Sequence, residues 1–179
     1  MFNYEVIQSL NDLELSLYRY IMKNSHKVIY MRIREKLDDV CDLIKESTNL
    51  VFLGAGSSGV LCKYAARYFS SLGKFAIYID DPYFPTHYKA YENCVIIAIS
   101  ISGETVAVIE HISNLKREKC KIVSITNSEN CTISKISDLN ISYYIQQEKL
   151  GRNDITTQIP VIYTIETLGK KLHNKYMMK

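Results

Sequence analysis

From residue 50 onward, short apolar runs alternate with longer amphipathic stretches. Residues 50–53, 75–79, 94–99, 121–126 and 139–145 are brief and rich in Ile, Val, Phe or Tyr, the composition of β-strands. Between the first two runs, Val60, Leu61, Tyr64, Ala65, Tyr68, Phe69 and Leu72 recur at helical spacing, as do Val106, Ile109, Ile112 and Leu115 between the third and fourth. Strand, helix, strand in repetition predicts parallel strands joined by right-handed crossovers. The run 94–99 is apolar almost throughout, so this strand is expected to be covered on both faces, giving a three-layer α/β sandwich. A last amphipathic helix is expected over about residues 157–176, with Pro160 in its first turn, where a missing N–H costs little.

Upstream, residues 6–46 hold neither Gly nor Pro. Leu10, Leu13, Leu17, Tyr20 and Ile21 form one apolar stripe, and Ile33, Leu37, Val40 and Ile44 a second. They predict a helical arm that packs on the sheet domain or on a second subunit.

Composition narrows the classes. A chain of 179 residues, 47% apolar, suits one well-packed domain. Its net charge of +3 comes from 22 basic and 19 acidic residues mixed along the sequence, with no Lys/Arg block suited to a nucleic-acid face. Cys41, Cys62, Cys94, Cys120 and Cys131 lie far apart among apolar neighbours, without a Cys-x-x-Cys pair, and are expected to be buried thiols in a reducing compartment. No apolar run approaches the ~20 residues that span a bilayer, and residues 1–10 lack a basic region followed by an apolar one. A cytoplasmic location with no membrane partner is the expectation. His26, His87, His111 and His173 show no metal-ligand spacing, so no metal is expected. His111 and His173 are expected at the surface, and His87 in a loop bordering the crevice. The 14 tyrosines are expected mostly in the core and at interfaces.

Candidate chemistry concentrates in two loops. Residues 54–59 read Gly-Ala-Gly-Ser-Ser-Gly between a strand and a helix. Glycines at such a turn let backbone N–H groups approach an anion, and the helix that follows points its dipole at the same place. The pattern Gly54-x-Gly56-x-x-Gly59 also fits a dinucleotide fingerprint, with Asp80 ending the next strand about where a ribose-binding acid belongs. A tight turn needing glycine for backbone reasons alone is equally compatible.

The second loop, 100–105, reads Ser-Ile-Ser-Gly-Glu-Thr and again leads into a helix. Ser and Thr are short neutral donors, and with the N–H groups of a helix start they can surround a phosphate without a lysine. Capping explains one of these hydroxyls, Ser102 with Thr105 or Glu104 nearby, but not the crowd of them. Dinucleotide binding gives no reason for this loop at all, and no cofactor is expected. In a doubly wound sheet of order 2-1-3-4-5 the loops after strands one and three meet at the switch point, where ligands bind.

These two loops, a strand–helix unit apart, resemble the paired signatures of the sugar isomerase (SIS) domain. The resemblance runs from about Asp38 to the end and implies a flavodoxin-like five-stranded parallel sheet, a helical arm over 1–37 and a sugar-phosphate domain over 38–179. It implies that Ser58, Ser100, Ser102 and Thr105 supply the hydroxyls that bind the sugar phosphate, with Ser57 beside them and Gly56 and Gly103 in the same loops. The arm, through Leu10-Asn11-Asp12-Leu13-Glu14, Tyr20-Ile21-Met22-Lys23-Asn24 and Met31-Arg32-Ile33-Arg34-Glu35, resembles the start of the helix-turn-helix domain of RpiR-type transcriptional regulators. In those regulators a recognition helix and linker follow. Here residues 36–45 run directly into the helix before the first strand, so DNA binding is doubtful, because groove reading needs such a helix.

The resemblance therefore implies an effector-sensing domain for a hexose or amino-sugar phosphate that forms a dimer or tetramer. The alternatives are an aldose–ketose isomerase or related lyase, and DNA binding retained through the arm. An isomerase needs a base beside a carbonyl, and Glu148, in a region where related sugar isomerase domains place a glutamate, is the candidate. Thr157-Gln158-Ile159 falls where RpiR-type regulators often have Ser-Arg-Ile, so this chain lacks that arginine.

Overall fold

A computed structural model describes residues 27–86, 91–151 and 153–176 of the chain. Helix α1 (Lys27–Glu46) leads into strand β1 (Leu50–Leu53), followed by α2 (Ser57–Ser71), β2 (Ala76–Ile79), β3 (Val95–Ser100) and α3 (Val106–Leu115). After a 3-10 turn at Lys116–Glu118 come β4 (Lys121–Thr126), α4 (Thr132–Ile136) and β5 (Leu139–Ser142). The short strands β6 (Lys149–Leu150) and β7 (Asn153–Asp154) and the long α5 (Ile159–Tyr176) complete the described chain. The five main strands form one sheet in the order β2-β1-β3-β4-β5 with every pair parallel, as the alternating pattern requires. β6 and β7 make a separate antiparallel hairpin.

Helices cover both faces. Phe52, Ile97, Ile99, Val123, Ile125, Ile141 and Tyr143 face α1, α2 and α5 in one core. Val51, Leu53, Ile96, Ala98 and Ile122 face α3 and α4 in the other. β3 is buried at all six positions, the reason its sequence is apolar on alternate and intervening residues alike. The second arm stripe, Ile33, Leu37, Val40 and Ile44, is wholly buried in the first core, and α1 continues unbroken through position 38. The first stripe, from Leu10 to Ile21, lies outside the described residues.

Two lysines bind backbone carbonyls around α1. Lys74 Nζ donates to the carbonyls of Ile44 and Ser47, both at 2.6 Å, closing the C-terminal end of α1 where a cation suits the dipole. Lys36 Nζ donates to Asn140 O at 2.7 Å, tying α1 to β5.

Several boundaries differ from the pattern. Residue 75 precedes β2, Cys94 precedes β3, β5 stops at Ser142 rather than 145, and α5 starts at Ile159, leaving Thr157 and Gln158 as its lead-in. On α2 the buried face is Ser58, Gly59, Cys62, Ala65, Ala66 and Phe69, while Val60 and Tyr64 are exposed. Small residues sit inward there because the helix lies close to the sheet, and a Cβ added at Gly59 would come within 2.9 Å of Asp80 Cβ and 3.1 Å of Gly54 O. This close approach supplies a packing reason for the third glycine of the fingerprint. Among the described residues no helix is long and apolar enough to cross a membrane.

Candidate functional site

β1 and β3 are adjacent and parallel, with Leu53 opposite Ala98, so the loops that follow them leave the same edge of the sheet side by side. A shallow crevice, open to solvent, is lined by Gly54 and Ala55 from the first loop, Asp80 to Pro82 after β2, and Ala107, Val108 and His111 from α3, while Ser57, Ser58, Ser100, Ser102 and Thr105 lie outside its lining. The sheet reverses its winding here, the place where doubly wound proteins hold ligands.

The first loop turns at Gly56, whose φ of 58° lies in the left-handed region. α2 then begins at Ser57, exposed at the helix head, with Ser58 buried behind it. Neither α2 nor α3 has a side-chain hydrogen bond capping its start. The donors at both heads are therefore not taken by a cap.

Ser100 ends β3 and is 3% exposed. Its Oγ accepts the Gly103 N–H at 3.1 Å and lies 3.1 Å from Thr105 Oγ1. Ser100 thus braces the loop from inside and orients Thr105. Ser102 is exposed, and its Oγ accepts the Glu104 N–H at 3.2 Å, a local turn. The capping position of α3 belongs to Thr105, which corrects the expected assignment of that role to Ser102. Glu104 turns away to α4, where Oε1 accepts the Thr132 N–H at 2.8 Å. Hydrogen bonds from the Thr132 side chain and backbone hold its carboxyl below the usual range.

Gly103 is the pivot of this loop. Its φ is 67°, and a Cβ there would lie 2.1 Å from Cys131 Sγ and 2.5 Å from Cys131 Cβ. The Gly103 carbonyl also accepts the Ile133 N–H at 3.0 Å, so the loop is clamped to α4. Beneath it, Asn140 Nδ2 donates to Ser124 Oγ at 2.9 Å and Thr126 Oγ1 at 2.8 Å. Thr126 Oγ1 in turn donates to Ser128 O at 2.8 Å. This buried network supports the second loop, and its trace in the sequence is the polar alternation of Ser124 and Thr126 within an apolar strand.

The other candidates fall elsewhere. Glu148 lies at the start of the β6–β7 hairpin with its side chain exposed, its N–H donating to Thr156 Oγ1 at 2.9 Å. His111 is not at the surface. It is 5% exposed on the inner face of α3, with Nε2 3.2 Å from Asp81 O, because that face packs against the loop after β2. His173 is half-buried on α5 rather than exposed. His87 and His26 lie outside the described residues. Asp80 is exposed at the end of β2, its Cβ against the first turn of α2.

With this geometry the relationships of the chain become definite. Residues 42–165 match the SIS domain family model, and the chain belongs to that family. Among curated relatives, an HTH-type transcriptional regulator of Thermotoga maritima is 24% identical over 136 residues, covering 75% of this chain and 49% of the relative. The chain spans about half the length of the curated regulators it matches. The Vibrio vulnificus NanR protein, solved in complex with ManNAc-6P, shares the fold with a TM-score of 0.74 at 17% identity, over 96% of this chain and 66% of that one. The sugar isomerase domain of an RpiR transcription factor from Sphaerobacter thermophilus does so with a TM-score of 0.67 at 11% identity, over 92% of both chains.

Proposed function

We propose that this chain senses a phosphorylated sugar, a hexose or amino-sugar phosphate, as an effector domain related to RpiR-type regulators. The phosphate sits between the heads of α2 and α3. Ser57 and Ser58 with the turn at Gly56 serve it from one side, and Ser102 and Thr105 with the turn at Gly103 serve it from the other. Ser100 acts from within by setting Thr105. The observation that carries this reading is the pair of uncapped helix heads on adjacent parallel strands, flanked by hydroxyls that the fold does not consume as caps. NanR, with its ManNAc-6P, supports an amino-sugar phosphate as the first compound to try.

Sensing rather than turnover is favoured because Glu148, the candidate base, is exposed on a hairpin. The protein is cytoplasmic, and it forms a dimer or tetramer through apolar side chains left exposed on α2 and beside β2, such as Val60 and Phe75. The sequence of residues 1–37 resembles only the start of a helix-turn-helix domain, without the groove-reading helix, so no operator shift is expected in a gel assay.

A thermal-shift screen against hexose 6-phosphates, ManNAc-6P and pentose 5-phosphates tests the assignment, with NAD, NADP and unphosphorylated sugars as controls. A ligand at a hundred times its Kd adds about 2.7 kcal/mol, a readily measured rise in Tm. A rise with NAD and none with any sugar phosphate would return the site to the dinucleotide reading.

A further inference from the structure

The head of α5 lies beside the head of α2. The two helices run side by side in the same direction, with Tyr64 Oη donating to Glu166 Oε1 at 2.7 Å. One turn further along, a Cβ at Gly169 would meet Tyr68 Cε1 at 2.6 Å and Leu72 Cδ1 at 2.8 Å. Tyr64 and Glu166 stand equally far into their helices, so following both back to their starts brings Gln158 alongside Ser57 and Ser58, about one interhelical spacing of ~8–10 Å away.

The backbone donors at the head of α5 are already used. Ile159 N donates to Thr157 Oγ1 at 3.3 Å, and Val161 N and Ile162 N donate to Gln158 O at 3.0 and 3.1 Å. Pro160 has none to offer. Among the described residues, Tyr143 Oη and Gln158 Oε1 are buried side-chain atoms with no hydrogen-bond partner. Tyr143 is 1% exposed and follows the last residue of β5 at the same edge of the sheet. It shares the first core with Val161 in the opening turn of α5. Burial pushes the pKa of its phenol above the ordinary value, and the negative charge of Asp154 on β7 raises it further. Gln158 Nε2 donates to Thr156 O at 3.2 Å, and this bond fixes which end of the amide is the free acceptor.

A buried phenol O–H with no acceptor and a buried amide oxygen with no donor each carry a desolvation cost. One group satisfies both: a hydroxyl, which accepts from Tyr143 and donates to Gln158. We infer that Tyr143 and Gln158 form a specificity subsite for a hydroxyl of the sugar, set at the head of α5 and separate from the phosphate loops. The inference rests on the sugar-phosphate reading above and assigns to these residues the discrimination among sugars that phosphate contacts cannot supply. Sites that hydrogen-bond a substrate hydroxyl reject analogues lacking it far better than apolar pockets do.

Calorimetric titration of wild type, Tyr143→Phe and Gln158→Met with ManNAc-6P, glucose 6-phosphate and inorganic phosphate tests it. Each variant is expected to lose about tenfold in affinity for a sugar phosphate that wild type binds. Affinity for inorganic phosphate should stay unchanged. Tyr143→Phe, which removes only an unpaired hydroxyl, should keep or raise the Tm of the ligand-free protein. A lower Tm without ligand would reveal a protein partner for that hydroxyl and overturn the inference. Unchanged sugar-phosphate affinity in Tyr143→Phe would overturn it too, leaving a bound water as the sole occupant, and so would an equal loss for inorganic phosphate. Wild type that binds neither sugar phosphate removes the functional reading itself, whereas wild type that binds while the variants bind equally removes only the subsite.

Discussion

Ser100 and Ser102 stand two residues apart in the same loop and do different work. Ser100 accepts the buried Gly103 N–H, so Ser100→Ala should destabilise the protein by about 1–3 kcal/mol as well as weaken binding. Ser102 is exposed, so Ser102→Ala should weaken sugar-phosphate binding with the Tm held within a degree or two of wild type. Thermal melts of the two ligand-free variants separate these roles. Gly103→Ala should cost more than either, about 2–5 kcal/mol, because the new methyl enters both the left-handed region and the space of Cys131. Urea denaturation of that variant measures the loss. The hydroxyls themselves were legible from residue type and position at helix starts. Their division of labour was not, since it depends on which hydroxyl points inward, and the Cys131 contact depends on a residue 28 positions away. His111 escaped for the same reason: its helical stripe is legible, but the loop after β2 that buries it is brought there only by the tertiary fold.

The five strands of the sheet were visible as apolar runs because parallel strands covered on both faces leave little room for polar residues, whereas the five-residue α4 and the β6–β7 hairpin carry no such pattern. The misjudged positions lie on α2. There Val60 and Tyr64 suggested an apolar inward face, whereas Cys62, Ala65 and Ala66 occupy it and the larger side chains point out or toward α5. A small-residue face signals close approach, and periodicity weighted by hydrophobicity does not register it. Between α1 and α5, Lys171 Nζ meets Asp38 Oδ2 at 2.8 Å and Lys175 Nζ meets Asp42 Oδ1 at 2.9 Å. The hydrogen bond from Lys171 holds the Asp38 carboxyl below its usual value. That contribution is fully present above the pKa of an unfolded aspartate, about 3.9, and is lost as pH falls through the lower folded value. Half the Asp38 side chain is exposed, so screening keeps the pair below about 1 kcal/mol. Asp38→Asn should therefore be slightly less stable than wild type at pH 7 and at pH 5, with the gap closing below about pH 4. Chemical denaturation at several pH values checks the sign.

Across the whole molecule, the five cysteines are free and buried, in both cores and under the second loop. Burial pushes the Cys41 thiol up to about 11 and that of Cys120 up to about 12, far from the reactive thiolate. A thiol reagent such as DTNB at pH 8 should label none of them until the protein unfolds, and then all five. Their isolation in the sequence made burial legible, while the use of Cys131 as a floor beneath Gly103 was not. The proposed phosphate site would draw on two parts of this architecture: one loop packs through α2 into the first core, and the other is clamped by α4 over the second. Calorimetric titration of wild type and Ser102→Ala with ManNAc-6P or the sugar phosphate that gives the largest thermal shift tests that site most directly. The account predicts saturable binding to wild type, weakened about tenfold or more in a Ser102→Ala protein of unchanged Tm. Equal binding by both proteins, or binding of NAD in place of every sugar phosphate, would contradict it.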